Sequence, residues 1–465
     1  MGKVSITFLG ATQTVTGSRF LVSSEKTRIL VDAGMFQGTH EIRRKNWDPF
    51  PIDPSSIDAV VLSHAHLDHC GYLPLLVRNG FKKQIVCTKY TAKLAAVILR
   101  DSAYLQMEDA KFAAEKGFSR HKDPQPLYNA NDVEETLKLF TSITFREKIV
   151  LAPDASVTFY PSGHILGSAF VVLEIDGKTL LFTADMGRDN HPLLSPPDEP
   201  PDIDIDAVVT ESTYGDRLHE TPITLFADEI NQALKRGGSI LIPAFAVDRT
   251  EIILMALRDL INSRTIPNIP IYVDSPMALT ALAYYRDAVK TDAAELRLGV
   301  AEKWKTTDPF DPGNLTELRT VDESKSINKL VDSSIIISAS GMAAGGRVVH
   351  HLANMLPDSK NTVILVGFQA AGSRGRSLEE GKTEIKIHGK WVPVHAHIAR
   401  VESFSAHADA NELIAWLKKI AKPEQAFVVH GEPDAQEVLA ARLRSELGWN
   451  AIIPQSEQSF QIGNE

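Results

Sequence analysis

Cysteine is nearly absent from this chain: Cys70 and Cys87 are the two among 465 residues. A disulfide framework is thereby excluded, and a reducing cytoplasm is the expected compartment. Long apolar runs are also missing, so no membrane-spanning helix and no membrane partner are expected. The opening Val4–Leu9 alternates like a strand and is not followed by a signal-peptide cleavage region. Ile6 stands where a myristoylation motif needs Ser or Thr. A basic excess is lacking too. The net charge of −10 argues against blanket affinity for nucleic acid, although not against a local basic groove. Between Gly375 and Gly381-Lys382-Thr383 the spacing is one residue too long for a nucleotide P-loop, which removes an ATPase reading.

What is present is ordinary soluble composition, 43% hydrophobic and 23% charged, over a length that suits two domains or one large split one. Up to about residue 210 the chain reads as short β runs: Val4–Leu9, Arg19–Val22, Arg28–Val31, Ala59–Leu62, Gln84–Cys87, Ser156–Tyr160, Ala169–Ile175, Thr179–Phe182 and Ala207–Thr210. Helical spacing marks Thr91–Met107 and Asn131–Phe140. From Thr213 the texture changes to strand–helix alternation, which predicts a mostly parallel sheet. After about Trp391 β texture returns, followed by helices over Asn411–Ile420 and Gln436–Leu447.

The most informative stretch is Ser63-His64-Ala65-His66-Leu67-Asp68-His69, directly after an apolar strand. An isolated His-x-His is usually a solvated loop. Three imidazoles and a carboxylate in six positions at a strand end instead offer the ligands that catalytic transition metals accept. Other strand ends carry matching groups: Asp32, Asp185, Glu211 and His430, with His164 set between glycines. One such residue alone reads as a turn or a cap; together they predict one shared metal site. Cys70 beside the cluster reads as a buried small residue rather than a ligand.

On these motifs the chain resembles the metallo-β-lactamase fold, and more narrowly its β-CASP nucleic-acid-processing branch, over nearly its whole length. Asp32 matches the first motif, His64, His66, Asp68 and His69 the second, His164 the third and Asp185 the fourth. Glu211, His407 in Ser405-Ala406-His407, and His430 match motifs A, B and C. A histidine at motif C is the form found in RNA-acting members, among them the bacterial and archaeal homologues of the pre-mRNA 3′-end endonuclease subunit. The resemblance implies an α/β fold: a four-layer αβ/βα sandwich built from residues 1–212 and 401–465. An inserted parallel-sheet β-CASP domain over 213–400 would roof a cleft between the two. It also implies two Zn2+ ions, one on His64, His66, His164 and Asp185, the other on Asp68, His69, Asp185 and His430. Asp185 would bridge them, and Asp32 would orient a ligand imidazole. The activity implied is RNA phosphodiester hydrolysis by a hydroxide between the two zincs. His407 would act as general acid, held by Glu211, and the products would be a 5′-phosphate and a 3′-hydroxyl.

In the β/α region, Ser340, Gly341, Met342, Gly345 and Gly346 lie in a glycine-rich run between a strand and a helix. Such a run is either a tight turn or a phosphate cradle, and the resemblance favours the cradle. Arg374 is a candidate phosphate contact, and Arg249 falls in a further family-like segment with Phe245, a base-stacking or core aromatic. His395 and His397 lie in a period-two run and read as a solvated or interdomain strand face. The expected partners are RNA, single-stranded, and a second copy of the chain in a homodimer. Endonuclease action is favoured over 5′-to-3′ exonuclease action, because no long C-terminal assembly domain of the RNase J type is visible. A small ester or lactam hydrolase and a non-catalytic RNA-binding subunit are the rival readings.

Overall fold

The computed structural model describes residues 3–116, 124–219, 223–329 and 332–463. The chain divides into two compact units, Met1–Leu218 with Ala406–Glu465, and His219–Ser405. Among the described residues no helix is long and apolar enough to cross a membrane.

Two seven-stranded sheets make the first unit. One runs in the order Ser459–Ile462, Val4–Phe8, Phe20–Ser23, Arg28–Val31, Ala59–Val61, Gln84–Thr88, Phe140–Ile143. The other runs Ala451–Ile452, Gln425–Val428, Ala207–Thr210, Lys178–Phe182, Ala169–Ile175, Ala155–Pro161, Lys148–Ala152. Both ends of the chain thus contribute strands to one core. Period-two alternation explains how the sheets meet. Val4, Ile6 and Phe8 from the first sheet join Val157, Phe159, Val171 and Leu173 from the second in one buried cluster. Phe8 and Phe427 touch across it with ring centroids 4.9 Å apart. The alternate residues Phe170, Val172, Leu181 and Val428 pack against Leu413, Trp416 and Leu417 of the helix Ala410–Leu417 and Leu439 and Leu443 of Pro433–Glu446. On the far face of the first sheet, Leu30, Val60 and Ile85 align in register and are fully buried. The helix Lys89–Lys116 lies against the neighbouring strands Gln84–Thr88 and Phe140–Ile143. The four-layer αβ/βα arrangement is therefore present.

The second unit holds a six-stranded parallel sheet in the order Leu315–Glu317, Ile271–Val273, Ile335–Ser338, Ile240–Pro243, Thr362–Leu365, His397–Arg400. Leu241, Ile336 and Val363 present one face to Val348, Val349 and Leu352 of the helix Arg347–Met355. Ile240, Ile242, Ile335 and Ile337 point the other way and are equally buried.

One expected helix ends early. The spacing over Asn131–Phe140 continues a helical pattern, but the helix is Ala130–Leu137 and Phe140 opens a strand. Leu139 N donates to Thr136 O, closing a turn that hands Phe140–Ile143 to a parallel pairing with Ile85–Thr88. Strand Lys148–Ala152, unforeseen from the sequence, pairs at the edge of the second sheet.

Candidate metal centre and active site

Parallel strands end at the same sheet edge, and this delivers the polar residues to one place. Lys178–Phe182, Ala207–Thr210 and Gln425–Val428 are adjacent and parallel, and Asp185, Glu211 and His430 follow them. Arg28–Val31 and Ala59–Val61 are parallel partners in the facing sheet and lead to Asp32 and to Ser63–His69. The chain makes room by close approach: a Cβ on Gly34 would lie 1.6 Å from Asp68 O, and one on Gly187 2.0 Å from Gly163 O.

Four donor atoms surround one point. His66 Nδ1 lies 3.2 Å from both His64 Nε2 and His164 Nε2. Asp185 Oδ2 lies 3.4 Å from His64 Nε2 and 3.5 Å from His164 Nε2. Tetrahedral ligands at zinc bond lengths stand about 3.3 Å from one another. A second set adjoins it: His69 Nε2 is 3.3 Å from His430 Nε2 and 3.3 Å from Asp185 Oδ1, and His430 Nε2 is 3.4 Å from Asp68 Oδ2. Asp185 Oδ1 is buried and accepts no hydrogen bond, which leaves its lone pairs directed at the gap between these donors. The first set fits one ion, and Asp68, His69 and His430 form a second set with Asp185 Oδ1 beside His69. A third combination, Asp185 with Glu211 and His430, is also close enough to hold an ion. It fits less well, because Glu211 already accepts from Met186 N at 2.6 Å and from His407 Nδ1 at 3.1 Å.

The imidazoles are turned by partners on their outer side. His69 Nδ1 donates to Asp32 Oδ2 at 2.7 Å. Asp32 also accepts from Ser63 N and from Ser63 Oγ, and Ser63 Oγ lies 3.0 Å from His64 Nδ1. His164 Nδ1 donates to Ala406 O at 3.2 Å. Thr213 Oγ1 donates to His430 O and accepts from His430 Nδ1 at 3.1 Å. Each outward Nδ1–H leaves Nε2 as the inward lone pair, the arrangement that orients metal-binding histidines. Ser63, Thr213 and the Ala406 carbonyl carried no sequence signal of their own. Thr213→Val keeps the shape and removes the acceptor. Zinc affinity at the site served by His430 should fall about 10- to 100-fold, with Thr213→Ser close to wild type, measured by zinc titration calorimetry.

Electrostatics set the protonation states, and these match a ligand role at His64, His66, His164, Asp68 and Asp185. Burial, then the charge of His64, pushes His66 down to about 3. Burial and neighbouring imidazoles likewise lower His64 and His164, so these three are neutral donors. Burial alone would raise Asp68 and Asp185, but His430 and His69 outweigh it and hold both carboxyls below their usual range. Burial also opposes a charge on His69, yet Asp185 and Asp32 prevail and raise it. Cys70 Sγ is buried, donates to Ala65 O at 3.2 Å, and its thiol is pushed well up by burial, so it is no ligand.

His407 stands apart from the ligand sets. Its Nδ1 donates to Glu211 Oε2, and its Nε2 lies 3.9 Å from Asp185 Oδ2. Its ring centroid is 4.5 Å from that of His164.

The residues expected to meet substrate in the second unit are placed as follows. Ser340, Gly341, Met342, Gly345 and Gly346 form the loop from strand Ile335–Ser338 to helix Arg347–Met355. A Cβ on Gly341 would strike the Phe245 ring, whereas one on Gly345 would meet nothing. Arg374 braces this loop, donating to Ala343 O and Ala344 O at 3.2 and 2.8 Å. Arg249 is buried and donates to Val366 O at 2.8 Å. His397 pairs with Glu229 at 3.0 Å, and His395 donates to Pro357 O.

Three domain families match the chain: the metallo-beta-lactamase superfamily over residues 15–216, the Beta-Casp domain over 250–378, and the Zn-dependent metallo-hydrolase RNA specificity domain over 391–454. A ribonuclease from Thermus thermophilus is 36% identical, covering 91% of this chain and 92% of that one. An RNase J-like protein from Methanocaldococcus jannaschii is 36% identical over 92% and 93%. The transcription termination factor FttA of Methanosarcina mazei is 32% identical over 96% and 69%. A solved protein of unknown function from Enterococcus faecalis shares the fold, with a TM-score of 0.52 at 13% identity over 99% of this chain and 100% of that one. With its donor sets at the strand ends and these relatives along nearly its full length, the chain belongs to the β-CASP ribonuclease family of the metallo-β-lactamase superfamily.

Proposed function

We propose that the chain is a zinc-dependent endoribonuclease that leaves 5′-phosphate and 3′-hydroxyl ends on single-stranded RNA. One observation carries this reading: a tetrahedral donor set that includes Asp185 adjoins a second set of Asp68, His69 and His430, and a histidine outside both, His407, is held beside them by Glu211. His64, His66, His164 and Asp185 would hold one zinc, and Asp68, His69, Asp185 and His430 the other. Such a pair, when bound, supplies a nucleophile at neutral pH and stabilises charge developing on phosphate. Asp32 orients His69 directly and His64 through Ser63. Glu211 takes the Nδ1–H of His407, so its Nε2 faces the site and delivers a proton to the departing 3′-oxygen. Ser340, Gly341, Met342, Gly345, Gly346 and Arg374 are proposed substrate contacts, with Arg249 bracing Val366 behind them.

The test incubates internally labelled and 5′-labelled RNA with wild type and Asp68→Ala, with zinc measured in both. Wild type should release internal fragments bearing 5′-phosphates. Asp68→Ala should bind less zinc and cut at least about 100-fold more slowly. Mononucleotides released from the 5′ end would overturn the endonuclease assignment. Hydrolysis of a lactam with none of RNA would overturn the ribonuclease reading.

A further inference from the structure

Among the described residues, the segment Lys382–Pro393 forms a two-stranded sheet of its own. Strands Glu384–Ile387 and Lys390–Pro393 are antiparallel, with Ile385 opposite Val392 and Lys386 opposite Trp391. Alternation assigns the two faces. Ile385, Ile387 and Val392 turn inward to the cluster around Leu352 and Leu365. Lys382, Glu384, Lys386, Trp391 and Pro393 turn outward and are exposed, with Lys390 at the tip.

The outer face is unusual in chemistry. Trp391 is 63% exposed, whereas tryptophan is normally highly buried. Lys386 stands directly across the ladder from it, where side chains of a cross-strand pair touch. Lys382, Lys386 and Lys390 enter no ion pair among the described residues, and the strip from Lys382 to Pro393 carries one acid, Glu384. An exposed aromatic with Lys386 across from it and Lys382 farther along the same face, in a chain of net charge −10, matches a nucleotide: a base to stack and a phosphate to neutralise. An apolar protein partner would need an apolar rim around the indole, and here the neighbours on the ladder are Lys386, Glu384 and Pro393. Duplex RNA keeps its bases stacked inside, so a stacking site selects single strands.

We infer that the outer face of this hairpin is a binding site for single-stranded RNA, with Trp391 stacking a base while Lys382 and Lys386 on the same face hold adjoining phosphates. The inference rests on the proposed action on RNA and adds a contact outside the metal centre.

The test uses the full chain and labelled single-stranded RNAs of about six and about 24 nucleotides, with binding measured in a His407→Ala background so that the RNA survives. Trp391→Ala should weaken binding of the longer RNA about ten-fold, and Trp391→Phe much less. Lys382→Ala with Lys386→Ala should flatten the slope of log Kd against log salt by about 1.4, or about 0.7 for each phosphate that is no longer neutralised. With His407 restored, Trp391→Ala should raise the KM for the longer RNA more than it lowers kcat, as loss of a contact that binds without reacting does. Unchanged melting curves would exclude misfolding. The inference is overturned if Trp391→Ala binds the longer RNA like its parent, or if that substitution changes the mass of the particle in solution, which would make this face a contact between copies. A wild type that binds RNA through Trp391 without cutting it would sink the hydrolytic reading alone, and one that binds no RNA would sink both.

Discussion

Asp185→Asn is expected to empty both donor sets at once, with zinc content below that of Asp68→Ala or His66→Ala. The reason is geometric. Asp185 Oδ2 completes the tetrahedron of His64, His66 and His164, while Oδ1 lies 3.3 Å from His69 Nε2 in the other set. Every other side chain at the site serves one set alone. The amide is isosteric, but its nitrogen cannot ligate and its lost charge weakens both sites. RNA hydrolysis should fall by at least about 10⁴-fold, beyond the usual range of a general-acid deletion. Elemental analysis of dialysed protein reads the first effect. Thermal melting reads it again: a thousand-fold excess of zinc over Kd should stabilise wild type by about 4 kcal/mol per site, and Asp185→Asn by far less. A variant that keeps both ions would remove Asp185 from the bridging position.

The candidate metal site was legible because residues that are ordinary singly at a strand end recur at five of them. Ser63–His69 alone implied an ion; Asp32, His164, Asp185 and His430 implied a shared site, and the donors do converge. The orientation of each ring was not legible. A backbone carbonyl such as Ala406 O carries no residue signal, and Ser63 and Thr213 after strands read as ordinary caps. Nor does spacing say that His66 turns Nδ1 inward while His64 and His164 turn Nε2. In the fold, long period-two runs such as Ala169–Ile175 were evident. Lys148–Ala152 and Leu315–Glu317 were not, because short half-exposed edge strands lack the buried alternation that marks a strand. The end of the Ala130–Leu137 helix was hidden for the opposite reason, since Leu139 and Phe140 prolong an apolar spacing that strand pairing then overrides.

His407→Ala is expected to keep its zinc and lose about 10²- to 10⁴-fold in cleavage rate, the contribution of a positioned proton donor. Its Nε2 lies 3.9 Å from Asp185 Oδ2, farther than the 3.5 Å that separates His164 Nε2 from the same oxygen, and its Nδ1 is committed to Glu211. His164, a proposed ligand, is held by the carbonyl of Ala406 rather than by the His407 side chain, so the substitution leaves that hydrogen bond in place. A general acid acts only where the leaving group needs a proton. With a bridging 3′-sulfur in place of the 3′-oxygen, the leaving thiolate is stable unprotonated, and the defect of His407→Ala should shrink to within about ten-fold of wild type. Asp185→Asn should show no such rescue, because its defect lies with the ions rather than with the proton. Glu211→Gln should fall between: the amide oxygen can still accept from His407 Nδ1 but cannot favour its charged form, so the oxygen-linked substrate should suffer and the sulfur-linked one should not. Zinc loss in His407→Ala equal to that in His66→Ala, or an undiminished defect on the sulfur-linked RNA, would take the proton-donor role from His407.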